Sequence, residues 1–199
     1  MAHEMFYPRQ AVLITASSRE KTNITAVEWI TPVADKPPML AFSLSNTSLT
    51  LDLLCTSMEF VVAIPGEKLK DAVALCGSTS GKYIDKFEEA NLTQVRAKKV
   101  SAPLVLQAAA NFECKVLSYN NAGDHTLVVG EIVEAHIKDA GREAEPLLFS
   151  YGGKRLFGLG KEKDREKNRC VYIPVSTSGI TSIPSSSNFS SVVPRTVIP

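Results

Sequence analysis

Short apolar runs separated by turn residues are the feature of this sequence that most constrains its fold. Runs rich in β-branched residues recur along the chain, and Gly, Pro, Asn or Asp interrupts them at short intervals. They cover residues 11–15, 23–33, 39–45, 59–65, 104–110, 111–118, 126–137 and 147–151. Strands and helices do not alternate regularly, which argues against a doubly wound parallel sheet. The pattern instead predicts a mainly β fold, a closed antiparallel barrel with a few short helices.

Two or three short helices are predicted between these strands. The run at 11–15 and the run at 23–33 form one predicted hairpin. Hydroxyl and amide side chains at 46–50 precede Leu-rich sequence, which is typical of a helix N-terminus. Residues 68–75 form a second predicted helix, with Gly77 as its C-cap. Residues 82–90 begin with helix-like spacing.

Charge and hydropathy exclude several classes of partner. The 199 residues contain 22 Lys+Arg and 21 Asp+Glu, so a net charge of +1 favours neither nucleic acid nor an acidic membrane surface. The 44% of hydrophobic residues is enough for a packed core. No run approaches the roughly 18 to 20 apolar residues of a membrane helix. The expected protein binds no nucleic acid and no membrane.

The N-terminus and the cysteines point to the cytoplasm. Residues 1–9 contain His3, Glu4 and Pro8 where a signal peptide needs a basic start and an apolar segment, so export is not expected. The four cysteines are widely spaced and include no Cys-x-x-Cys pair: Cys55, Cys76, Cys114 and Cys170. This pattern predicts reduced thiols rather than a disulfide framework or a zinc site.

The composition changes after about Asn168, at the end of a charged run at 161–169. Residues 176–199 are rich in Ser, Thr and Pro and show no helical period. We therefore expect one domain over residues 1–160, followed by a charged linker and an extended or disordered tail over 161–199.

Several catalytic motifs are incomplete. Residues 77–82 (GSTSGK) resemble a nucleotide-binding P-loop, but three residues instead of four separate the glycines, and Tyr83 replaces the Ser or Thr that holds magnesium. His3, His125 and His136 form no metal-ligand spacing. No Gly-x-Ser-x-Gly elbow is present. P-loop, metal and hydrolase chemistry thus have little support.

An anion site is the polar feature that remains. The strand at 39–45 leads into a hydroxyl-rich helix start, where free N–H groups and the helix dipole favour an anion. Candidate side-chain donors are Ser43, Ser45, Asn46 and Thr50. A second polar set, Ser80, Lys82 and Lys86, offers cations for the same anion. The alternatives are that Asn46 or Ser48 merely caps a helix and that the lysines are solvated.

Three ring side chains have two possible roles each. Trp29 lies within a predicted strand, where a core or interface position is the simplest interpretation. Phe157 lies in a glycine-rich loop, an arrangement typical of cover over a flat ligand. His125 follows a Gly-Asp turn, so we expect it at a rim, either idle or beside a ligand.

Taken in order, several segments between residues 6 and 160 resemble the flavin reductase-like, FMN-binding split-barrel family, and within it the flavoredoxin-type members. The segments are 7–9 (YPR), 21–29 (KTNITAVEW), 31–33 (TPV), 35–38 (DKPP), 59–65 (EFVVAIP), 85–87 (DKF), 123–126 (GDHT) and 129–131 (VGE). The resemblance implies an antiparallel, Greek-key split barrel that binds FMN at a homodimer interface.

The resemblance also implies roles for single residues. Asn23 and the backbone from Thr25 through Ala26, Val27 and Glu28 to Trp29 would contact the flavin. The phosphate end would lie against Ser43, Leu44, Ser45 and Thr50, helped by Lys86 and by the second polar set with Ser80 and Lys82. His125, the candidate catalytic residue, and Phe157 would lie near the isoalloxazine, where a nicotinamide could stack.

Three hypotheses of function follow. The first is an oxidoreductase in which NAD(P)H reduces bound FMN and electrons pass to free flavin, ferric iron or a redox partner protein. The second is an FMN electron-transfer carrier without a nicotinamide site. The third is a split-barrel module that has lost its cofactor, against which the polar residues between Ser43 and Thr50 argue.

Overall fold

The computed structural model describes residues 2–19, 21–138, 145–152 and 155–159. The strands are β1 Arg9–Gln10, β2 Val12–Ser18, β3 Lys21–Val27, β4 Ile30–Asp35, β5 Pro38–Ser45, β6 Glu59–Ile64, β7 Gln94–Val95, β8 Leu104–Val105, β9 Ala110–Ala122, β10 His125–Ile137, β11 Leu147–Ser150 and β12 Leu156–Leu159. The α-helices are α1 Leu49–Ser57, α2 Lys70–Ser78 and α3 Lys86–Glu89, and 3-10 turns cover Ala2–Phe6 and Glu67–Leu69. The predicted tail at 161–199 lies outside the described residues.

A seven-stranded antiparallel sheet with the order β3-β2-β6-β9-β10-β5-β4 forms the barrel. Strand β5 pairs with β10 although β6 and β9 lie between them in sequence, which is a Greek-key arrangement. Strands β3 and β4 are the two edges of this sheet. The predicted mainly β, antiparallel fold is confirmed, as is the hairpin of β2 with β3.

Strand β2 is buried on both faces, which explains why its sequence is apolar without alternation. On one face, Ile14 joins a core that contains Leu54 of α1 and the edge-to-face pair Phe42 and Phe60, whose ring centroids lie 5.1 Å apart. On the other face, Leu13 packs with a second core, which includes Val73 of α2, Phe87 of α3 and Leu148 of β11. Helix α2 is thus fixed over the hairpin of β2 and β3.

The structure differs from three of the predicted elements. The run at 23–33 is two strands, because the chain leaves the sheet at Glu28 and Trp29. The run at 104–110 contains β8, a turn and only the first residue of β9, since the Asn111 amide bonds both the N–H and the carbonyl of Val105. Helix α2 continues through Gly77, and the hydroxyl and N–H of Thr79 satisfy the Leu75 carbonyl at its end.

Helix α3 is shorter than the predicted 82–90 helix. It begins after Asp85, whose carboxylate accepts hydrogen bonds from the N–H groups of Phe87 and Glu88. Strands β1 and β12 were not predicted; together with β11 they form a three-stranded sheet. No helix within the described ranges is long and apolar enough to cross a membrane.

A buried carboxylate fixes the loop that precedes β8. Glu113 of β9 is fully buried and accepts hydrogen bonds from the N–H groups of Lys98 and Lys99 and from Nε2 of His136, at 2.9, 2.6 and 2.6 Å. Burial raises the pKa of Glu113, but the bonds from the Lys98 amide, from His136 and from the Lys99 amide outweigh it and lower the pKa. Glu113 is therefore an ionised anchor within the fold.

Candidate functional site

One cavity, called here the main cavity, opens between the edge of β3, the end of β5 and helix α2. Its volume is about 430 Å³. The lining residues are Tyr7, Ala11, Thr25, Ala26, Val27, Glu28, Trp29, Ser43, Leu44, Ser45, Ser48, Val73, Ala74, Gly77, Ser78, His125 and Leu156. The walls combine apolar surface with convergent polar groups, as cofactor sites commonly do.

The edge of β3 supplies backbone groups to the main cavity. Strand β3 pairs with β2 on one side, and its other side is the edge of the sheet. An edge strand presents N–H and C=O groups that no neighbouring strand uses. Because Thr25, Ala26 and Val27 line the cavity, their backbone can bind the polar edge of a flat heterocycle.

An indole and an imidazole lie together at the rim. The ring centroids of Trp29 and His125 are 4.8 Å apart, with planes inclined by 34°. Nδ1 of His125 lies 2.7 Å from Oδ1 of Asp124, which fixes the imidazole. The hydrogen bond and the charge of His125 lower the pKa of Asp124. The N–H of Ser43 donates to the carbonyl of Trp29 at 3.0 Å and so holds the indole beside β5.

Tyr7 is a cavity residue that our residue-level reasoning missed. Its hydroxyl donates to Oε2 of Glu28 at 3.0 Å. Burial and the hydrogen bond with Glu28 raise the pKa of Tyr7. Gly152 has a φ of +81°, and a Cβ there would lie 2.8 Å from the Tyr7 ring, so the glycine permits this packing. The segment at 7–9 was already part of the family resemblance, and that was the signal that could have identified Tyr7.

The N-terminus of α1 begins at the cavity wall. Ser48 is the N-cap residue, but its side chain makes no capping hydrogen bond. Asn46 caps nothing either, because its amide donates to the Gly123 carbonyl and accepts from the Thr126 hydroxyl. The Ser48 hydroxyl and the first N–H groups of α1 are therefore positioned as donors next to Ser45.

Comparison with known proteins identifies the family. The profile of the flavin reductase like domain matches residues 2–157. The chain belongs to the flavin reductase like domain family. An uncharacterised protein of Archaeoglobus fulgidus is 36% identical over 143 residues, 72% of this chain and 80% of the relative. An NADH-dependent FAD reductase of Streptomyces globisporus is 26% identical over 161 residues, 80% of this chain and 85% of the relative.

Solved structures show the same split barrel. An FMN-binding protein from Thermus thermophilus with bound 1-cyclohex-2-enone has a TM-score of 0.71 and 26% identity, over 79% of this chain and 89% of that chain. The flavoredoxin of Desulfovibrio vulgaris (Miyazaki F) has a TM-score of 0.70 at 24% identity, over 78% and 88% of the two chains, and shares the fold. The split-barrel prediction is confirmed.

Within this flavin reductase like domain, nine of the residues predicted to form the site line the main cavity. They are Thr25, Ala26, Val27, Glu28, Trp29, Ser43, Leu44, Ser45 and His125. Asn23 and Thr50 do not line the main cavity: both side chains are buried, and Nδ2 of Asn23 donates to the Thr50 hydroxyl at 2.9 Å. The Thr50 hydroxyl thus accepts a hydrogen bond from within the protein.

The remaining predicted residues lie elsewhere. Nζ of Lys86 is buried and donates to the Cys76 carbonyl at 2.7 Å, and burial lowers its pKa. Ser80 is exposed, and Lys82 lines a separate polar cavity. The ring of Phe157 stacks on Tyr151 at 4.3 Å, while its neighbour Leu156 lines the main cavity. Period-two alternation along β12 explains this division. No cluster of metal ligands occurs among the residues with described positions.

Proposed function

We propose that this protein is an FMN-dependent oxidoreductase that oxidises NAD(P)H and passes the electrons to free flavin, ferric iron or a redox partner protein. The observation that carries the proposal is the main cavity, where an edge strand, a hydroxyl-rich helix start and the pair of Trp29 and His125 meet. The NADH-dependent FAD reductase among the relatives supports the reaction class. The FMN-binding protein from Thermus thermophilus supports FMN.

The residues present fit a flavin mononucleotide. A cavity of about 430 Å³ lies within the usual range for cofactor sites. The backbone from Thr25 to Val27 can bond the pyrimidine edge, and Ala74 and Leu156 offer apolar cover. The hydroxyls of Ser45 and Ser48 and the N-terminus of α1 lie where an anionic end is favoured. When bound, the isoalloxazine supplies the redox chemistry.

The protein's own contribution to the reaction is to bind and to orient. Trp29 and His125 form a pair of tilted rings at the cavity rim, and Asp124 fixes the imidazole from outside. A nicotinamide would pack against this pair, and such positioning is what transfer between two rings requires. Glu28, held by Tyr7, keeps a carboxylate acceptor in the cavity for an amide or imide N–H. No strong acid or base is needed for such a transfer.

We propose a homodimer in the cytoplasm as the working form. The exposed fractions of Trp29 and Leu127 are 37% and 38%, and both line a second, shallow groove beside the main cavity. Exposed apolar surface of this kind favours association of two protein chains. A reducing compartment is consistent with the buried thiol of Cys76, whose pKa burial raises to about 11.

A substitution that fills the main cavity tests this proposal. Ala74 and Ala72 both lie half-buried on α2, but only Ala74 is among the cavity residues. Ala74→Trp should abolish FMN binding in fluorescence titration and abolish NAD(P)H oxidation, whereas Ala72→Trp should retain both. Circular dichroism establishes that each variant is folded. Equal FMN affinity of the two folded variants would contradict binding in the main cavity.

A further inference from the structure

Glu28 places a carboxylate on the wall of the main cavity. The residue follows Val27, the last residue of β3, and precedes Trp29, and all three line the cavity. It is half-buried, although glutamates in proteins are mostly exposed. Among the described residues that line the cavity, no other carries a carboxylate and none is Lys or Arg. The wall therefore holds a negative charge that no lysine or arginine beside it neutralises.

A hydrogen bond fixes the position of this carboxylate. The hydroxyl of Tyr7 donates to Oε2 of Glu28 at 3.0 Å. The Tyr7 ring in turn packs on Gly152, where a Cβ would lie 2.8 Å from it. Two residues distant in sequence thus hold the Glu28 side chain against the cavity instead of leaving it to turn into solvent.

The positive groups nearest this wall are Arg9 and His125. The guanidinium of Arg9 lies over the ring of Tyr7, 4.7 Å from its centroid, and lines the shallow groove rather than the main cavity. His125 lines the main cavity, but its Nδ1 lies 2.7 Å from the carboxylate of Asp124. Arg9 is therefore displaced from the cavity, and Asp124 offsets any charge on the imidazole.

The Tyr7 hydroxyl indicates the sign of the field at this wall. Loss of its proton would create an anion inside the cavity, and the pKa of Tyr7 is raised. Burial is the largest cause, followed by the hydrogen bond with Glu28 and by the charge of Glu28. Arg9 lowers the pKa, but more weakly than Glu28 raises it. A new negative charge at this wall is thus disfavoured.

Reduction of a flavin creates such a charge. Oxidised FMN takes up two electrons and one proton, so its ring gains one negative charge. The backbone of residues 25–27, which we assign to the pyrimidine edge of the ring, directly precedes Glu28. Like charges that are close together and partly shielded from water repel each other. Fixed charge near the ring nitrogens is one means by which a protein tunes a flavin.

We propose that the carboxylate of Glu28 lowers the reduction potential of the flavin held in the main cavity. The inference rests on the proposed function, because it requires the ring to lie against residues 25–27. Glu28 tunes the cofactor in this assignment, and it neither accepts the hydride nor moves a proton. A flavin with a lowered potential gives up its electrons more readily, which suits transfer to free flavin, ferric iron or a redox partner protein.

The test is the midpoint potential of bound FMN, measured under anaerobic conditions with dithionite as reductant and a dye of known potential as reference. Glu28→Gln keeps the shape of the side chain and removes its charge. This variant should favour reduced over oxidised FMN about tenfold more than the full chain does, which is a rise of about 30 mV. Glu28→Asp should keep most of the lowered potential. The matched control is Glu131→Gln, a half-buried glutamate of β10 that lines neither the main cavity nor the shallow groove, and its potential should equal that of the full chain.

Tyr7→Phe separates the charge of Glu28 from its hydrogen bond. The variant loses the bond and keeps the carboxylate, so its potential should stay at or below that of the full chain. A rise as large as in Glu28→Gln would assign the effect to the hydrogen bond and overturn the proposal. Circular dichroism establishes that each variant is folded, and Glu28→Ala removes the same charge if Glu28→Gln does not fold.

Failure of this inference is distinguishable from failure of the proposed function, because dithionite replaces the nicotinamide nucleotide. Equal potentials of the full chain and Glu28→Gln, or a fall in the variant, would overturn the role of Glu28 while flavin binding stands. A full chain that binds neither oxidised nor reduced FMN would overturn the proposed function, and this inference with it.

Discussion

The imidazole of His125 lies against the indole of Trp29, with ring centroids 4.8 Å apart. The contact joins the chain after β3 to the first residue of β10 and forms one side of the main cavity. Because Trp29 has an exposed fraction of 37%, a ligand can reach the pair from solvent. We therefore expect a nicotinamide ring to be recognised at this pair rather than deep in the main cavity.

His125→Ala should slow NAD(P)H-driven flavin reduction more than it weakens FMN binding. Loss of one stacking partner is expected to lower kcat/KM for NAD(P)H by about three- to tenfold, while the Kd for FMN changes less. His125→Phe keeps a flat ring and loses the bond to Asp124, so it should retain part of the rate. Stopped-flow absorbance and FMN titration measure the two quantities. Equal losses in both would make His125 an ordinary flavin contact.

Thr50→Val should destabilise the protein, because it removes the acceptor of the buried Asn23 amide. A buried donor without a partner costs about 1–3 kcal/mol in the free energy of unfolding. Thr56→Val is the matched control, since the exposed Thr56 hydroxyl donates to a carbonyl of its own helix. Denaturant unfolding should give the control a loss of less than about 0.5 kcal/mol. Similar losses of unfolding free energy in both variants would contradict a structural role for the hydrogen bond between Asn23 and Thr50.

The hydrogen bond between Asn23 and Thr50 joins β3 to α1 and so adds a functional expectation for Thr50. Combined with Lys86→Ala, Thr50→Val should weaken FMN binding, because the two changes remove bonds that hold β3 and α2 at the main cavity. Fluorescence titration on folded protein measures the affinity. Unchanged affinity would show that neither side chain supports the cofactor.

Glu113→Gln should lower stability at neutral pH by about 2–4 kcal/mol, since an ionised, multiply bonded carboxylate is lost. The native pKa of Glu113 is lowered, so its contribution is fully present above the ordinary value of about 4.5 and is lost as pH falls through the native pKa. The difference between the two proteins should shrink below about pH 4.5. Glu134→Gln, at a more exposed pair with Lys98, should cost less than about 1 kcal/mol.

Gly152→Ala should cost more stability than Gly123→Ala. Both glycines have positive φ, +81° and +72°, so both substitutions carry the conformational penalty of about 1–2 kcal/mol. Only at Gly152 would the added Cβ also meet a side chain, the ring of Tyr7 at 2.8 Å, whereas Gly123 has open space within 4 Å. Thermal unfolding of the two variants compares the costs. Equal losses of stability would mean that the Tyr7 ring moves aside at no cost in the free energy of unfolding.

The strands could be predicted because short β-branched runs between turn residues leave few alternatives. The direction in which each side chain points could not be predicted. Lys86 is a plausible anion ligand by composition, yet its stem enters the core and its ammonium bonds the Cys76 carbonyl. Leu156 and Phe157 are neighbours on β12, and only the folded register decides which of them lines the main cavity. The interruption between β3 and β4 at Glu28 and Trp29 likewise depends on packing that no local sequence pattern encodes.

The most direct test of the account is the absorbance spectrum of the purified full chain before and after anaerobic addition of NADH or NADPH. We predict flavin bands near about 370 and 450 nm, as for any bound isoalloxazine, and bleaching of the 450 nm band by one of the nucleotides. Bands that persist with both nucleotides would favour an electron carrier over a reductase. A colourless protein that takes up no added FMN would contradict the central claim that the main cavity is a flavin site.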